Sequence, residues 1–362
     1  MKQLTTVLAV VLLSLLVAAF PHDIPHVIDA VAVPEAVIDV TPWVKDHGQT
    51  LSVDTPHPTA TVDNLPTGST TVSSVPVLAG PHDLVPTLAT NTNVDLDVNT
   101  KGANTHFFGI SYSPYNADST CKNDAEVKAD IDKLTHYAFV RIYGVDCDQT
   151  RKVINAARPH NLRVFAGVYD LQNLHAGLST IVDAARPDLS ILHTISIGNE
   201  LLNRGANTAQ AVTSAVGDAR AYLRGLGYNG PVVTVDTFNK LFEHPELCHV
   251  SDYCAANCHA FFNANLVPEN AGNYISGIAR QLSALTGKRT IITESGWPHA
   301  GQPNGRAIPS PENHRRAIDS LRRAFGHDNG SNLVLFSAFD DAWKQDNEWT
   351  FGAEKYWGIE KR

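Results

Sequence analysis

Two stretches of this sequence end an apolar run on a carboxylate. Ile291-Ile292-Thr293-Glu294-Ser295-Gly296-Trp297-Pro298 is a β-branched run that stops on an acid, a glycine and a Trp-Pro pair, and Ile195-Ser196-Ile197-Gly198-Asn199-Glu200 stops on a glycine, an amide and an acid. Taken alone, Glu-Ser-Gly also suits a helix N-cap or a surface turn. Core packing, however, does not call for two such endings. Two acids on two strand ends are what glycosidic bond cleavage uses: one protonates the leaving oxygen while the other, about 5 Å away in retaining enzymes, attacks the anomeric carbon. The amide Asn199, next to Glu200, is a candidate for hydrogen-bonding a sugar 2-hydroxyl, and Arg141 and Lys344 are candidates for keeping a carboxylate charged. Rival chemistries are weaker. The sequence has no Gly-x-Ser-x-Gly elbow and no His-Glu-x-x-His pair, and Asp340-Asp341 reads as a hydrated loop rather than a cation site.

Strands must present these acids, and the chain offers them. From His106 onward, short β-rich runs alternate with amphipathic windows. The strand candidates are Phe107 to Tyr112, Ala138 to Tyr143, Arg163 to Val168, Ile191 to Ile197, Val232 to Asp236, Cys254 to Ala260, Thr290 to Glu294 and Leu333 to Phe339. Between them lie helical windows at Asp124 to His136, Thr150 to Arg158, His175 to Ala185, Thr208 to Leu226, Asn273 to Leu285 and Pro311 to Phe325; Lys240 to Val250 is too short and irregular to assign. Such alternation predicts an α/β fold of the (β/α)8 TIM-barrel class rather than an open doubly wound sheet, because Ser111-Tyr112-Ser113-Pro114-Tyr115 stands where a glycine-rich phosphate loop would follow the first strand. In a barrel, chemistry gathers at the carboxyl ends of the strands. Those ends are dense in aromatics, amides and acids: Tyr112, Arg141 to Gly144, Tyr169-Asp170, Asn199-Glu200, Asp236-Thr237, Asn257 to His259, Glu294 to Trp297 and Phe339 to Lys344. As a set they describe a sugar site.

With 362 residues, 43% of them hydrophobic, the chain can bury a large core, and a formal charge of -9 with scattered basic residues argues against a nucleic-acid partner. Lys2 followed by the apolar run Leu4 to Phe20 predicts a signal peptide over residues 1–19, with an uncleaved anchor as the alternative. Residues 20–104, rich in Pro, Thr and Val, predict a linker or stalk, and 105–362 the catalytic barrel. The ending Trp357 to Arg362 is polar, so no lipid-anchor tail is expected. Export makes disulfides the expectation for Cys121, Cys147, Cys248, Cys254 and Cys258, the odd count leaving at least one thiol over; Cys254-x-x-x-Cys258-His259 matches no strong zinc spacing. Asn329-Gly330-Ser331 is a glycosylation sequon.

The ordered motifs resemble glycoside hydrolase family 17, in its fungal cell-wall branch of soluble wall glucanases and wall mannoproteins. The resemblance rests on Phe108 to Tyr115, Cys121-Lys122, Val140 to Cys147, Ser196 to Glu200, His259 to Phe262, Thr293 to Pro298, Phe339 to Lys344 and Tyr356-Trp357-Gly358, and covers Phe107 to the C-terminus. It implies a retaining β-1,3-glucan hydrolase with Glu200 as acid/base and Glu294 as nucleophile. Tyr112, Asn199, His259, Trp297, Trp343 and Lys344 would then line the cleft, together with Arg141 as a substrate-binding candidate. It further implies a Cys121–Cys147 disulfide, with Cys248 and Cys254 as the second pair and Cys258 free. No metal or other cofactor is expected. The expected partners are β-1,3-glucan or its oligosaccharides within cell-wall polysaccharide. The mature protein is expected to be a monomer, secreted to the wall, with no nucleic-acid or membrane partner. Two departures, Ala260 where relatives often carry proline and Asp341-Ala342 where many carry Glu-Pro, leave the acids untouched but bear on the acceptor side. A glucanosyltransferase that hydrolyses poorly and a non-catalytic glucan-binding wall mannoprotein or adhesin are therefore the alternatives.

Overall fold

The computed structural model describes residues 108–326 and 332–361. The signal peptide expected at 1–19, the stalk expected at 20–104 and the sequon residue Asn329 lie outside the described residues. Eight parallel strands, β1 (Gly109–Ser111), β2 (Phe139–Arg141), β3 (Arg163–Val168), β4 (Leu192–Asn199), β5 (Val232–Thr237), β6 (Cys254–Asn257), β7 (Thr290–Ser295) and β8 (Leu333–Leu335), pair in chain order. The pairing of β1 with β8 closes the barrel, so no strand edge is left open. Between them run α1 (Asp124–Ile131), α2 (Gln149–Ala157), α3 (Leu174–Ala185), α4 (Ala209–Gly225), α5 (Phe238–Glu243), α6 (Glu246–Val250), α7 (Ala271–Thr286) and α8 (Pro311–Gly326). The fold is the (β/α)8 barrel that the alternation of runs predicts.

Strand alternation builds two cores. On β3, Val164 and Ala166 face outward and join a cluster with Val153 and Ile154 of α2 and Leu178 and Ile181 of α3. Phe165, between them, faces inward to Phe139, Val233, Val235, Ile291 and Val334, which fill the barrel. Each fully buried Leu, Ile or Phe adds about 1.5–3 kcal/mol of transfer free energy. The two cores together fix the positions of the strand ends.

Three elements depart from the sequence expectation. The helix beginning at Asp124 stops at Ile131 instead of reaching His136. Leu134 N bonds Ile131 O at 2.9 Å and Tyr137 N bonds Leu134 O at 3.0 Å, a tight descent that delivers Ala138 N to Phe108 O at 2.9 Å. The segment Lys240 to Val250 falls within α5 and α6, which are separated by His244-Pro245, where proline interrupts the helical ladder. The strand starting at Leu333 leaves the regular sheet after Leu335, although Phe336 N still bonds Ser295 O and Ala338 N still bonds Ser111 O, each at 2.8 Å.

The sheet register slips where β4 meets β5 between Ser196 and Asn199, where β6 meets β7 between Ala256 and Asn257, and where β7 meets β8 between Ile292 and Ser295. These three slips lie at carboxyl ends, where an irregularity re-aims the side chains that follow, while a fourth, where β3 meets β4 between Val164 and Phe165, lies near the amino end of its strand. Cys121 is bonded to Cys147, linking the loops after β1 and β2 with Cα atoms 5.3 Å apart, and Cys248 is bonded to Cys254 across 4.4 Å. Cys258 is free and buried. Among the described residues no helix is long and apolar enough to cross a membrane.

Candidate active site

Glu200 follows the end of β4 and Glu294 lies at the end of β7, and one hydrogen-bonded network joins them. Arg141, the last residue of β2, donates from Nη1 to Glu294 Oε1 at 2.7 Å and to Thr293 O at 2.8 Å, and from Nη2 to Asn199 Oδ1 at 2.8 Å. Asn257, the last residue of β6, donates from Nδ2 to Glu200 Oε1 at 2.8 Å and to Asn199 Oδ1 at 3.3 Å. Thr293 Oγ1 donates to Asn257 Oδ1 at 2.8 Å, which fixes the orientation of that amide. Each acid is thus held by a donor that also holds Asn199.

The two carboxyls have opposite electrostatic surroundings. Burial raises the pKa of Glu200, and the negative charges of Glu294 and Asp236 raise it further, against a lowering hydrogen bond from Asn257. Burial would also raise Glu294, but the Arg141 guanidinium, assisted by His259 and Lys344, overrides it and holds the carboxyl down at about 2. Glu200 is thus shifted toward its protonated form and Glu294 toward its ionised form, the division of labour that two-carboxylate catalysis needs. His259 Nε2 lies 3.4 Å from Glu294 Oε2, and its ring is boxed by Phe262, Phe336 and Trp357 at centroid distances of 6.1, 5.1 and 5.0 Å.

Glu200 sits in an unusual turn. Its φ is 54°, in the left-handed region that a glutamate rarely adopts. Gly198, two residues earlier, has φ 80°, and a Cβ there would meet Leu201 Cδ1 at 2.2 Å. Glu200 N bonds Val235 O at 2.8 Å, and Asn203 Nδ2 donates to Glu200 Oε2 at 3.0 Å.

The remaining residues expected in the cleft divide. Lys344 Nζ lies 3.7 Å from both Asp341 and Glu354 and 4.5 Å from the centre of the Phe336 ring, and Trp343 packs on Tyr115 with ring centres 4.9 Å apart. Three expectations need correction. Trp297 has no exposed surface, and its Nε1 donates to Ile308 O at 3.1 Å, so the residue beside the acid strand is a core prop and not a sugar platform. Tyr112 is 2% exposed, its hydroxyl donating to Asp130 Oδ2 of α1 at 2.9 Å, so it points outward between barrel and helix. Arg141 is 1% exposed and spends its guanidinium on Glu294 and Asn199, so it orients the acids and offers no surface to a ligand. In the other direction, Asn257 and Asp236, which the sequence offers only as strand-end positions, are both hydrogen-bonded into the acid pair or its turn. The hint was present for Asn257, an amide ending a strand like Asn199. For Asp236 the sequence held none.

A closed (β/α)8 barrel bearing two oppositely tuned acids after its fourth and on its seventh strand has the organisation of a glycoside hydrolase. Residues 109–358 match the BtgE/BtgC glycoside hydrolase domain, and the chain belongs to that family, within glycoside hydrolase family 17. It is 40% identical over 255 residues to the cell surface mannoprotein MP65 of Candida albicans, and 40% identical over 255 residues to the probable family 17 glucosidase SCW10 of Saccharomyces cerevisiae. Both alignments take in 69% of this chain but 66% and 64% of the relatives, just under two thirds of their length. In fold it resembles the family 17 β-1,3-glucanosyltransferase of Rhizomucor miehei, at TM-score 0.60 and 23% identity over 71% of this chain and 94% of that one. An active-site mutant of that glucanosyltransferase, in complex with laminaritriose, superposes at TM-score 0.61 with 23% identity over the same 71% and 94%.

Proposed function

We propose that the chain is a retaining glycosidase acting on β-1,3-glucan of the cell wall, with Glu294 as nucleophile and Glu200 as acid/base. The observation that carries this reading is the single network in which buried Arg141 pairs with Glu294 while the neutral amides of Asn257 and Asn203 hold Glu200. In the first step Glu294 attacks the anomeric carbon as Glu200 gives its proton to the departing glycosidic oxygen, leaving a glycosyl ester on Glu294. In the second, Glu200, now a carboxylate, takes a proton from an incoming water or sugar hydroxyl, which displaces Glu294 with overall retention. Asn199 stands beside both acids, where a donor to the sugar 2-hydroxyl strengthens most in the transition state.

Substrate and place rest on several supports. The names of the relatives, a family 17 glucosidase and a cell surface mannoprotein, fit a wall glucan, as does the laminaritriose complex of the Rhizomucor miehei protein. The apolar leader from Leu4 to Phe20 fits export, and the proposed secreted form is a monomer. Tyr169, 39% exposed and braced by Arg204 at 4.4 Å from its ring centre, offers a flat face close to Glu200, which favours a second reading in which a sugar acceptor competes with water.

Product analysis on a reduced linear β-1,3-glucan oligosaccharide, by mass spectrometry, tests both readings. Shorter products from wild type, absent with Glu294→Ala, are the expected result, and products longer than the substrate identify transfer. A folded wild type that changes none of a range of glucans would leave a wall-binding protein instead.

A further inference from the structure

Asp236, on β5, is a carboxylate 1% exposed that takes no part in the two-step chemistry. Its oxygens accept backbone N–H groups: Oδ2 from Leu202 at 2.8 Å, and Oδ1 from Asn203 at 3.2 Å and from its own neighbour Thr237 at 2.9 Å. Leu202 and Asn203 are the second and third residues after Glu200, so the carboxylate gathers the turn that follows the acid. The residue before it, Val235, receives Glu200 N at 2.8 Å. Consecutive residues of one strand therefore clamp both sides of a glutamate held at φ 54°. A conformation this unfavourable persists only when its surroundings over-determine it.

We propose that Asp236 is a positioning residue that locks the left-handed turn carrying Glu200 and so keeps that carboxyl aimed at the departing glycosidic oxygen. This rests on the assignment of Glu200 as the acid/base. The charged and titratable groups that face Glu200 come from every side. Glu294 on β7 and Asp236 on β5 oppose its ionisation, and His259 after β6 favours it. Tyr169 follows β3 and Arg204 lies in its own turn, and Arg141 reaches it through Asn257, which it contacts at 3.4 Å. Burial raises the pKa of Asp236 itself, against its three backbone donors and the charge of Lys240 on α5, which favour the ionised form.

The test compares Asp236→Asn with wild type on two substrates, a β-1,3-glucan oligosaccharide and an aryl laminaribioside with a dinitrophenolate leaving group, which departs without a proton. The expected result is a loss of kcat/KM of about 10-fold or more on the oligosaccharide and a much smaller loss on the aryl substrate. The basic limb of the kcat/KM profile should also move to lower pH by about half a unit to one unit, because removing a negative charge makes a nearby carboxyl easier to ionise. Asp236→Ser, which removes the charge and keeps one oxygen able to accept, should reproduce the shift if the Asn variant does not fold. Equal losses on both substrates with an unmoved limb would overturn the proposal, as would both variants failing to fold, since Asp236 would then serve the barrel alone. Glu200→Gln is run alongside. If it too loses activity equally on both substrates, the assignment of Glu200 is what fails, and the proposal falls with it. If it spares the aryl substrate and Asp236→Asn does not, only the proposal fails.

Discussion

Arg141 and Glu294 form a buried ion pair, Nη1 to Oε1 2.7 Å, with only 1% and 8% of the two side chains exposed. Neither charge has water to fall back on. Removing one partner of such a pair leaves the other uncompensated, at a cost of about 3–5 kcal/mol.

Arg141→Met should therefore lower stability by about that amount and raise the Glu294 pKa, since burial would no longer be opposed. The acidic limb of kcat/KM, which reports protonation of the nucleophile, should move to higher pH by about two units. In wild type the folded carboxyl is depressed from 4.5 to about 2, so its contribution to stability is fully present above 4.5 and is lost as pH falls through 2. Thermal melting across that window, for wild type and variant, checks both statements. A variant whose melting temperature and acidic limb match wild type would remove Arg141 from its role.

Asn257→Ala should act on the other acid with the opposite sign to Asp236→Asn. Asn257 donates to Glu200 Oε1 at 2.8 Å and so favours its ionised form. Deleting that donor should move the basic limb of kcat/KM to higher pH and reduce kcat by about 10-fold, as the acid loses its aim. The pH dependence of single-turnover cleavage is the measurement. A limb that moves down would contradict the network described for Glu200.

The cysteines allow a count. Native protein without reductant should react with no maleimide, and unfolded protein with one per chain, at Cys258, which is 1% exposed and whose thiol burial pushes to a higher pKa. Cys121→Ser with Cys147→Ser opens a bridge spanning 26 residues and should cost about 3–4 kcal/mol in denaturant unfolding. Mass spectrometry of the labelled chain decides the first statement, since more than one label on the unfolded chain would mean an open bridge.

Much of this was legible in the residues. Alternation of β-branched runs with amphipathic windows gave the barrel, and the structure has Glu200 and Glu294 at the strand ends where the sequence places them. What failed was the direction of individual side chains. Tyr112 and Trp297 lie beside strand ends where alternation cannot say which way a ring turns, and both are held by partners away from the cleft, Asp130 of α1 and the Ile308 carbonyl of the loop before α8. The register slips at the ends of β4, β6 and β7 are invisible in a sequence, because nothing in Ala256-Asn257 or Asn199-Glu200 marks a bulge. The clamp made by Asp236, a strand-end position in the sequence, was hidden for a related reason, since two of its three partners are backbone N–H groups of a turn 33 to 34 residues earlier in the chain.

Asn199 Oδ1 accepts from both Arg141 and Asn257, at 2.8 and 3.3 Å, so both lone-pair directions of that oxygen are already occupied. The amide cannot flip without setting its NH2 against two other donors. Its Nδ2 is thus a fixed-polarity contact that can only give a hydrogen bond, and under the proposed function it would sort ligands by what they present there. A sugar with an oxygen acceptor at that point is welcomed, and one with a donor alone or a bare carbon is not. An aspartate in its place would hold the same shape with the wrong sign. It would draw the Arg141 guanidinium away from Glu294 and set a rival beside that acid for its cation.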